Sequence, residues 1–363
     1  MNLFVRTSIA PYRIDFYNAL HDRLDMQMCF YHQQSADQRF DRQWLESQCR
    51  FKPVYLKGLR LGSDSRKICF GLWKMVRKTR PQLVIVPEFQ LVLYQFWLIR
   101  FLQGKKYRIV SLCDDSMDMI ERENDFSGLH RWLRSWAPRL LDGIIVPHPG
   151  VRDWYRKRFG IGTWMPIMMD EVRTRLRYEA LLPVSREYVA RYRLQGRKVI
   201  LFVGRLVKLK RVDLLLDAFS GMARDAVLVI VGDGPEMENL QKQAETCGKD
   251  VIFTGRLEGD GLYAWYHVAD VLALLSSQEA FGAVVVEALM AGVRVVVSGH
   301  AGASCLVDGN NGEVVSAADP EEVRSSLERQ LELCEPFQQR LRKNLMPCGF
   351  QDRINGLITE LNQ

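Results

Sequence analysis

Short apolar runs alternate with stretches of helical periodicity along most of the chain. In the first half, residues 3–8 read as a strand and 12–24 as a helix. A β-branched run at 83–87 leads into an apolar helix ending near 102, then a strand at 108–112, a helix at 130–141 and a strand at 143–146. The second half repeats the scheme with strands at 199–203, 226–231, 251–254, 271–275 and 293–298. Helical segments at 212–219, 235–247, 262–268 and 282–291 lie between them. A short, wholly apolar strand next to a helix is what a parallel sheet covered on both faces requires. Both halves therefore predict doubly wound α/β sheets.

A chain of 363 residues exceeds the ~250–300 that one core usually serves. A polar, Arg-rich stretch between about 167 and 197 separates the two βα series. The expectation is an N-terminal domain over 1–180 and a C-terminal domain over 181–347. The amphipathic segment 348–363, which follows Pro347, is expected to pack back on the first domain. Hydrophobic residues at 47% and charged residues at 26% exclude a disordered chain. The most apolar window, 83–102, contains Pro87, Glu88, Gln90, Gln95 and Arg100, which hydrocarbon would not accept. The first residues lack the order of a signal peptide, so a cytoplasmic protein is expected. Its eight cysteines are too scattered for a disulfide framework or a zinc site and read as reduced thiols.

Charge adds one asymmetry. Residues 1–180 hold 30 Lys and Arg against 19 Asp and Glu, whereas residues 181–363 hold 20 against 24. The basic half suits an anionic partner, either a membrane surface or a nucleic acid.

Three segments carry the candidate chemistry, each following a predicted strand, where ligands bind in such sheets. In Gly204-Arg205-Leu206-Val207-Lys208-Leu209-Lys210, Arg205 and Lys210 flank one loop, placing two cations where a diphosphate can be held. Gly232-Asp233-Gly234-Pro235 reads as a tight turn before a helix. In Glu279-Ala280-Phe281-Gly282-Ala283-Val284-Val285-Val286-Glu287, Gly282 opens a helix whose free N–H groups suit a phosphate. Glu279 lies in the loop, and Glu287 lies inside an apolar run where a carboxylate needs a partner.

Taken in this order, with Ala269-Asp270-Val271, Ala291-Gly292 and Asp308-Gly309-Asn310-Asn311-Gly312, these segments resemble the retaining glycosyltransferases of the GT-B fold that carry the E-x7-E motif. The resemblance covers the second half. It implies two Rossmann-like domains facing across a cleft and transfer of a sugar from a nucleotide-sugar to a saccharide acceptor, lipid-linked in many relatives that build bacterial-type cell-surface polysaccharides. Arg205 and Lys210 would then neutralise the departing diphosphate, and Glu279 would bind donor-sugar hydroxyls. Glu287 would accept hydrogen bonds from the ribose, while the amides of Phe281, Gly282 and Ala283 approach sugar and phosphates. No cofactor and no metal are implied.

The first half departs from the family. A Gly-Gly loop after the first strand is replaced by Thr7-Ser8-Ile9-Ala10-Pro11-Tyr12-Arg13, making Ser8, Tyr12 and Arg13 the candidates to take over its contacts. Cys305 stands where relatives commonly have a glutamate. An N-domain histidine near the sugar has His130 and His148 as candidates by position. Asp114 and Asp115 either line the acceptor side or cap the following segment. The basic, aromatic-rich stretch 50–80 suits an anionic leaflet, which makes a peripheral position on the inner membrane face the expectation. Two rival readings are a GT-B-fold nucleotide-sugar epimerase or hydrolase, and a basic nucleic-acid-binding protein. No nucleic-acid module signature is present, so no nucleic acid is expected.

Overall fold

The computed structural model describes residues 1–33, 42–62, 66–104, 106–122, 125, 127–316, 318–334 and 341–363. The chain divides into two units, Met1–Met169 with Phe350–Gln363, and Asp170–Gly349.

The first unit runs β1 (Asn2–Arg6), α1 (Ile14–Leu24), β2 (Met26–Phe30), α2 (Arg42–Ser47), β3 (Val54–Tyr55), β4 (Gly58–Arg60), β5 (Lys67–Cys69), α3 (Leu72–Thr79), β6 (Leu83–Pro87) and α4 (Leu91–Gln103). It continues through β7 (Arg108–Leu112), α5 (Met117–Glu121), α6 (Gly128–Trp136), β8 (Gly143–Val146), α7 (Pro149–Phe159) and β9 (Thr163–Trp164). Seven strands form one sheet in the order β3-β2-β1-β6-β7-β8-β9, every pair parallel. All five residues of β6 are buried, as a central strand covered on both faces requires. β4 and β5 make a separate antiparallel hairpin.

The second unit runs α8 (Glu171–Ala180), α9 (Leu182–Arg191), β10 (Lys198–Val203), α10 (Val212–Ser220), β11 (Ala226–Val231), α11 (Met237–Thr246), β12 (Val251–Gly255), α12 (Gly259–Val268) and β13 (Val271–Leu274). α13 (Ala283–Met290), β14 (Arg294–Ser298), β15 (Gly312–Val315) and α14 (Pro320–Glu332) follow. Its six-stranded sheet has the order β12-β11-β10-β13-β14-β15, again all parallel. Numbered within the unit this is 3-2-1-4-5-6, the doubly wound order, and the winding reverses between β10 and β13. The first unit reverses in the same way between β1 and β6. Such switch points leave a crevice outside the strands' carboxyl ends, and the candidate loops emerge there.

The division at Asp170 falls earlier than the boundary expected at 180. Charge conceals two helices in that stretch. Asp170 caps α8 by accepting from Arg173 N, and Tyr178 and Ser185 turn inward to donate to the carbonyls of Glu287 and Ala264. All eight cysteines are free thiols.

The last helix, α15 (Phe350–Asn362), belongs to the first unit. Phe350, Ile354, Leu357 and Leu361 are buried. Arg353 lies 3.8 Å over the Trp164 ring, and Arg108 donates to the Leu361 carbonyl at 2.8 Å. Leu357→Ala is therefore expected to cost about 2–5 kcal/mol, read as a lowered denaturant midpoint of the full chain.

Candidate active site

At the switch point of the second unit, β10 ends at Val203 and the chain turns through Gly204 and Arg205 to a 3-10 turn at Lys208–Lys210. Backbone geometry fixes this loop. Gly204 N donates to Val231 O at 3.0 Å, and Leu206 N donates to Asp233 O at 2.9 Å. A Cβ on Gly232 would lie 1.8 Å from Gly204 O, so only glycine allows the approach. The Gly-Asp-Gly-Pro turn is thus a scaffold for the cationic loop.

The loop after β13 is tied to the same place, since Ser277 N donates to Leu209 O at 2.8 Å. Its far side is held by the segment where Cys305 departs from the family: Gly302 N donates to Glu279 O at 3.1 Å and Ala303 N to Phe281 O at 2.6 Å. Gly282, at φ 94°, starts α13 without a side-chain cap. A Cβ there would meet Leu274 at 2.6 Å. The first N–H groups of the helix have no intrahelical acceptor, which leaves the positive end of α13 open beside the loop. The Phe281 ring is buried, so that residue offers only its backbone.

Within this frame Lys210 Nζ and Glu279 form an ion pair in which both side chains stay partly exposed. Arg205 is exposed and shows no ion pair with a described residue. The structure therefore joins Lys210 to Glu279 and leaves Arg205 open at the mouth of the same loop.

Glu287 lies one to two turns into α13 and is 9% exposed. Its carboxylate has the partners that its apolar surroundings demand: Tyr266 donates to Oε2 at 2.5 Å and Tyr263 to Oε1 at 3.3 Å. Burial pushes this carboxyl above its ordinary range, and the two tyrosine hydrogen bonds oppose that shift. Tyr178 fixes the helix by donating to the Glu287 carbonyl at 2.7 Å. Sequence reasoning missed this tyrosine trio, although Tyr263 and Tyr266 stand at i and i+3 of a helix, a spacing that shares one face.

The acceptor-side candidates occupy the switch point of the first unit. Arg6, at the end of β1, donates to Asp114 at 2.5 Å and to Leu112 O at 2.7 Å. Arg13 pairs with the other oxygen of Asp114. Against a burial that would raise it, Arg13 and Arg6 hold the Asp114 carboxyl below its usual range. Glu88, at the end of β6, accepts from Asp114 N at 2.7 Å. Arg6 and Glu88 are members of this site that the sequence reading did not select.

Asp115 corrects an expectation. It is buried and bound by both terminal nitrogens of Arg134, at 3.0 and 2.7 Å, and by Tyr155 at 2.7 Å. Its oxygens are consumed inside the unit, so it neither lines an acceptor surface nor caps a helix. Ser116 caps α5 instead. Glu88, Cys113 and Asp115 bring ligand atoms within 4.8 Å of one another. Asp115 is already neutralised by Arg134, and burial pushes the Cys113 thiol well up, so this set does not suit a cation. His148 accepts from Gly150 N and caps α7. The side chain of His130 lies outside the described residues.

Comparison with known proteins places this geometry. Residues 185–345 match the family model of the Glycosyl transferases group 1. A GDP-mannose-dependent alpha-(1-6)-phosphatidylinositol monomannoside mannosyltransferase of Mycolicibacterium smegmatis is 34% identical over 150 residues, 38% of this chain and 39% of that protein. A D-inositol 3-phosphate glycosyltransferase of Xylanimonas cellulosilytica is 32% identical over 189 residues, 50% of this chain and 41% of that one. The chain thus spans about two-fifths of the length of these relatives. Among solved structures, Anabaena HepE in complex with UDP matches with a TM-score of 0.75 at 17% identity, over 99% of both chains. At that identity the likeness is one of fold. The chain accordingly has the two Rossmann-like units of the GT-B fold, and its residues 185–345 are similar to the group 1 glycosyl transferases.

Proposed function

We propose that this protein is a glycosyltransferase that moves a sugar from a nucleotide-sugar held by the second unit to a saccharide acceptor, with retention and without a metal or cofactor. The observation that carries the reading is the switch-point arrangement of the second unit. Arg205, Lys210 and the open end of α13 set positive charge around one loop, beside a carboxylate, Glu279, that can accept from sugar hydroxyls.

In the reaction the bond between the sugar's anomeric carbon and the phosphate oxygen breaks, and the nucleoside diphosphate leaves with the electron pair. The acceptor hydroxyl oxygen bonds to the same carbon on the same face, and its proton passes to the departing phosphate oxygen. Negative charge grows on that phosphate as the bond breaks, so fixed cations and helix amides stabilise the transition state more than the ground state. Glu287, oriented by Tyr266 and Tyr263, would take the ribose hydroxyls. Asp114 of the first unit, whose side chain is one-third exposed, would meet the acceptor, whereas Arg13 is buried and serves only to hold Asp114 in place.

The acceptor is proposed to be lipid-linked, as part of bacterial-type cell-surface polysaccharide synthesis at the inner face of a membrane. Two observations support this. The Mycolicibacterium relative is named for a phosphatidylinositol mannoside, and the basic excess lies in residues 1–180. No helix among the described residues is long and apolar enough to cross a bilayer, so attachment would be peripheral.

Thermal stabilisation by a panel of nucleotides and nucleotide-sugars tests the reading. One nucleoside diphosphate class at about 100 times its dissociation constant is expected to add about 2.7 kcal/mol to the stability of the wild type. Glu287→Ala is expected to lose that effect. Stabilisation by RNA and by no nucleotide would instead revive a nucleic-acid-binding role. Donor turnover at an undiminished rate without any acceptor would favour an epimerase or hydrolase.

A further inference from the structure

Helix α4 has two apolar faces. Val92, Leu93, Phe96 and Ile99 enter the core of the first unit. Leu98, Phe101 and Leu102, at i, i+3 and i+4, make a second, exposed stripe, bordered by the half-buried Tyr94 and Trp97 that pack against the edge of the core. Leu98, Phe101 and Leu102 are 48, 71 and 60% exposed, and the Trp97 and Phe101 rings stack at 6.0 Å. A helix at the surface of a water-soluble unit ordinarily turns a polar face outward, so this stripe calls for a partner.

The neighbouring elements extend it. The Gln95 side chain accepts from Cys69 N at 2.9 Å and donates to Cys69 O at 3.0 Å, fixing the β4–β5 hairpin against α4. Leu59, Leu61, Phe70 and Trp73 on the hairpin and the start of α3 are exposed as well. Exposure of this many large apolar side chains on elements packed side by side marks an interaction surface.

Charge identifies the occupant. Residues 52–106 hold twelve Lys and Arg against two Asp and Glu. One of those two, Glu88, accepts from Asp114 N at the sheet edge. Lys74, Arg77 and Lys78 of α3 are exposed, and none pairs with a carboxylate among the described residues. A second copy would bring the same cations against these ones, so self-association through this face is opposed by like charge. An anionic bilayer offers what both parts need, phosphates for the cations and an acyl boundary for the rings and leucines.

We infer that the β4–β5 hairpin, α3 and the outer stripe of α4 form one interfacial surface that binds an anionic lipid bilayer. Leu98, Phe101 and Leu102 enter the headgroup–acyl boundary, and the cations of α3 lie on lipid phosphates. The inference rests on the proposal of a membrane-bound acceptor and names the surface through which the first unit reaches it.

Sedimentation of the full chain with vesicles tests it, using phosphatidylcholine alone and phosphatidylcholine with about one-third phosphatidylglycerol. Binding is expected to the anionic vesicles and at least about tenfold weaker to the neutral ones, and to fall at about 0.5 M salt as charges are screened. Phe101→Ser with Leu102→Ser is expected to weaken binding about tenfold or more. Lys74→Glu with Lys78→Glu should remove the preference for anionic lipid while leaving the stripe intact. Circular dichroism and nucleotide stabilisation of the second unit confirm that each variant folds. The inference is overturned if the native chain ignores anionic vesicles, if neither variant changes binding, or if light scattering shows a dimer that Phe101→Ser with Leu102→Ser disperses. Transfer to a water-soluble saccharide acceptor separates the two readings. Vesicle binding without transfer upholds the surface and defeats the transferase, whereas transfer without vesicle binding does the reverse.

Discussion

Replacing Lys210 with alanine is expected to lower kcat for sugar transfer by about 10²–10³-fold while leaving the fold intact. The structure gives two explanations of Lys210 that this loss alone would not separate. Its ammonium pairs with Glu279, so it acts either on the departing diphosphate or only as a counter-ion that keeps Glu279 in place. Glu279→Gln removes the charge that needs a counter-ion. If Lys210 serves only Glu279, the double variant Lys210→Ala with Glu279→Gln should be no slower than Glu279→Gln alone. If Lys210 meets the diphosphate, the double variant is expected to be at least as slow as Lys210→Ala. Steady-state release of the nucleoside diphosphate, with melting temperatures to confirm folding, reads the difference. The same comparison for Arg205→Ala should show no dependence on Glu279, because Arg205 stands exposed at the loop mouth and makes no ion pair with it.

The contrast between these two cations shows what a sequence can and cannot reveal. The strands were legible because parallel strands covered on both faces must be apolar throughout: β11 is buried at all six positions and reads as Ala226-Val227-Leu228-Val229-Ile230-Val231. The loops at their ends were legible because Gly, Lys and Glu interrupt that pattern at fixed places. Pairing was not, since Lys210 and Glu279 are 69 residues apart and meet only because β10 and β13 are neighbours in the sheet. Helices α8 and α9 were hidden for a different reason. In α8 the apolar Val172 and Leu176 are exposed while Arg175 and Arg177 are half-buried, on the Arg342 carbonyl and on Asp260, and the contacts that hold both helices come from polar tips, Tyr178 Oη and Ser185 Oγ, which hydrophobic periodicity does not register. Asp115 misled in the opposite sense. An acid just beyond a strand end resembles a ligand-binding residue, and only the distant Arg134 and Tyr155 reveal that its role is internal.

Glu287 allows the test in which environment and function are most tightly coupled. Desolvation raises its carboxyl pKa and the hydrogen bonds of Tyr266 and Tyr263 pull it back. Because the folded-state value lies above the ordinary one, the folded chain keeps this proton at pH values where the unfolded chain has lost it. The contribution to stability is therefore fully present below the ordinary carboxylate pKa and declines as pH rises through the raised value. Tyr266→Phe removes the short bond to Oε2, lifts the carboxyl further and extends that window upward. At pH values above that window, where the carboxylate is ionised, the variant is expected to lose about 1.5–3 kcal/mol of stability, and less in acid. The same shift should appear in ligand binding. Ribose hydroxyls donate to an ionised carboxylate, so affinity for the nucleoside diphosphate should fall on the acid side where Glu287 takes up its proton. Titration calorimetry across pH is expected to show this acid limb moved to higher pH in Tyr266→Phe and abolished in Glu287→Gln, whose weaker affinity no longer follows that proton. The ligand's own titration is common to all three proteins, so a difference between them reports on the site. A limb that stays in place while the melting temperature of Tyr266→Phe drops would make the tyrosines a structural brace and remove Glu287 from the ribose. A limb that moves would establish that the buried tyrosines set the charge with which α13 reads the nucleotide.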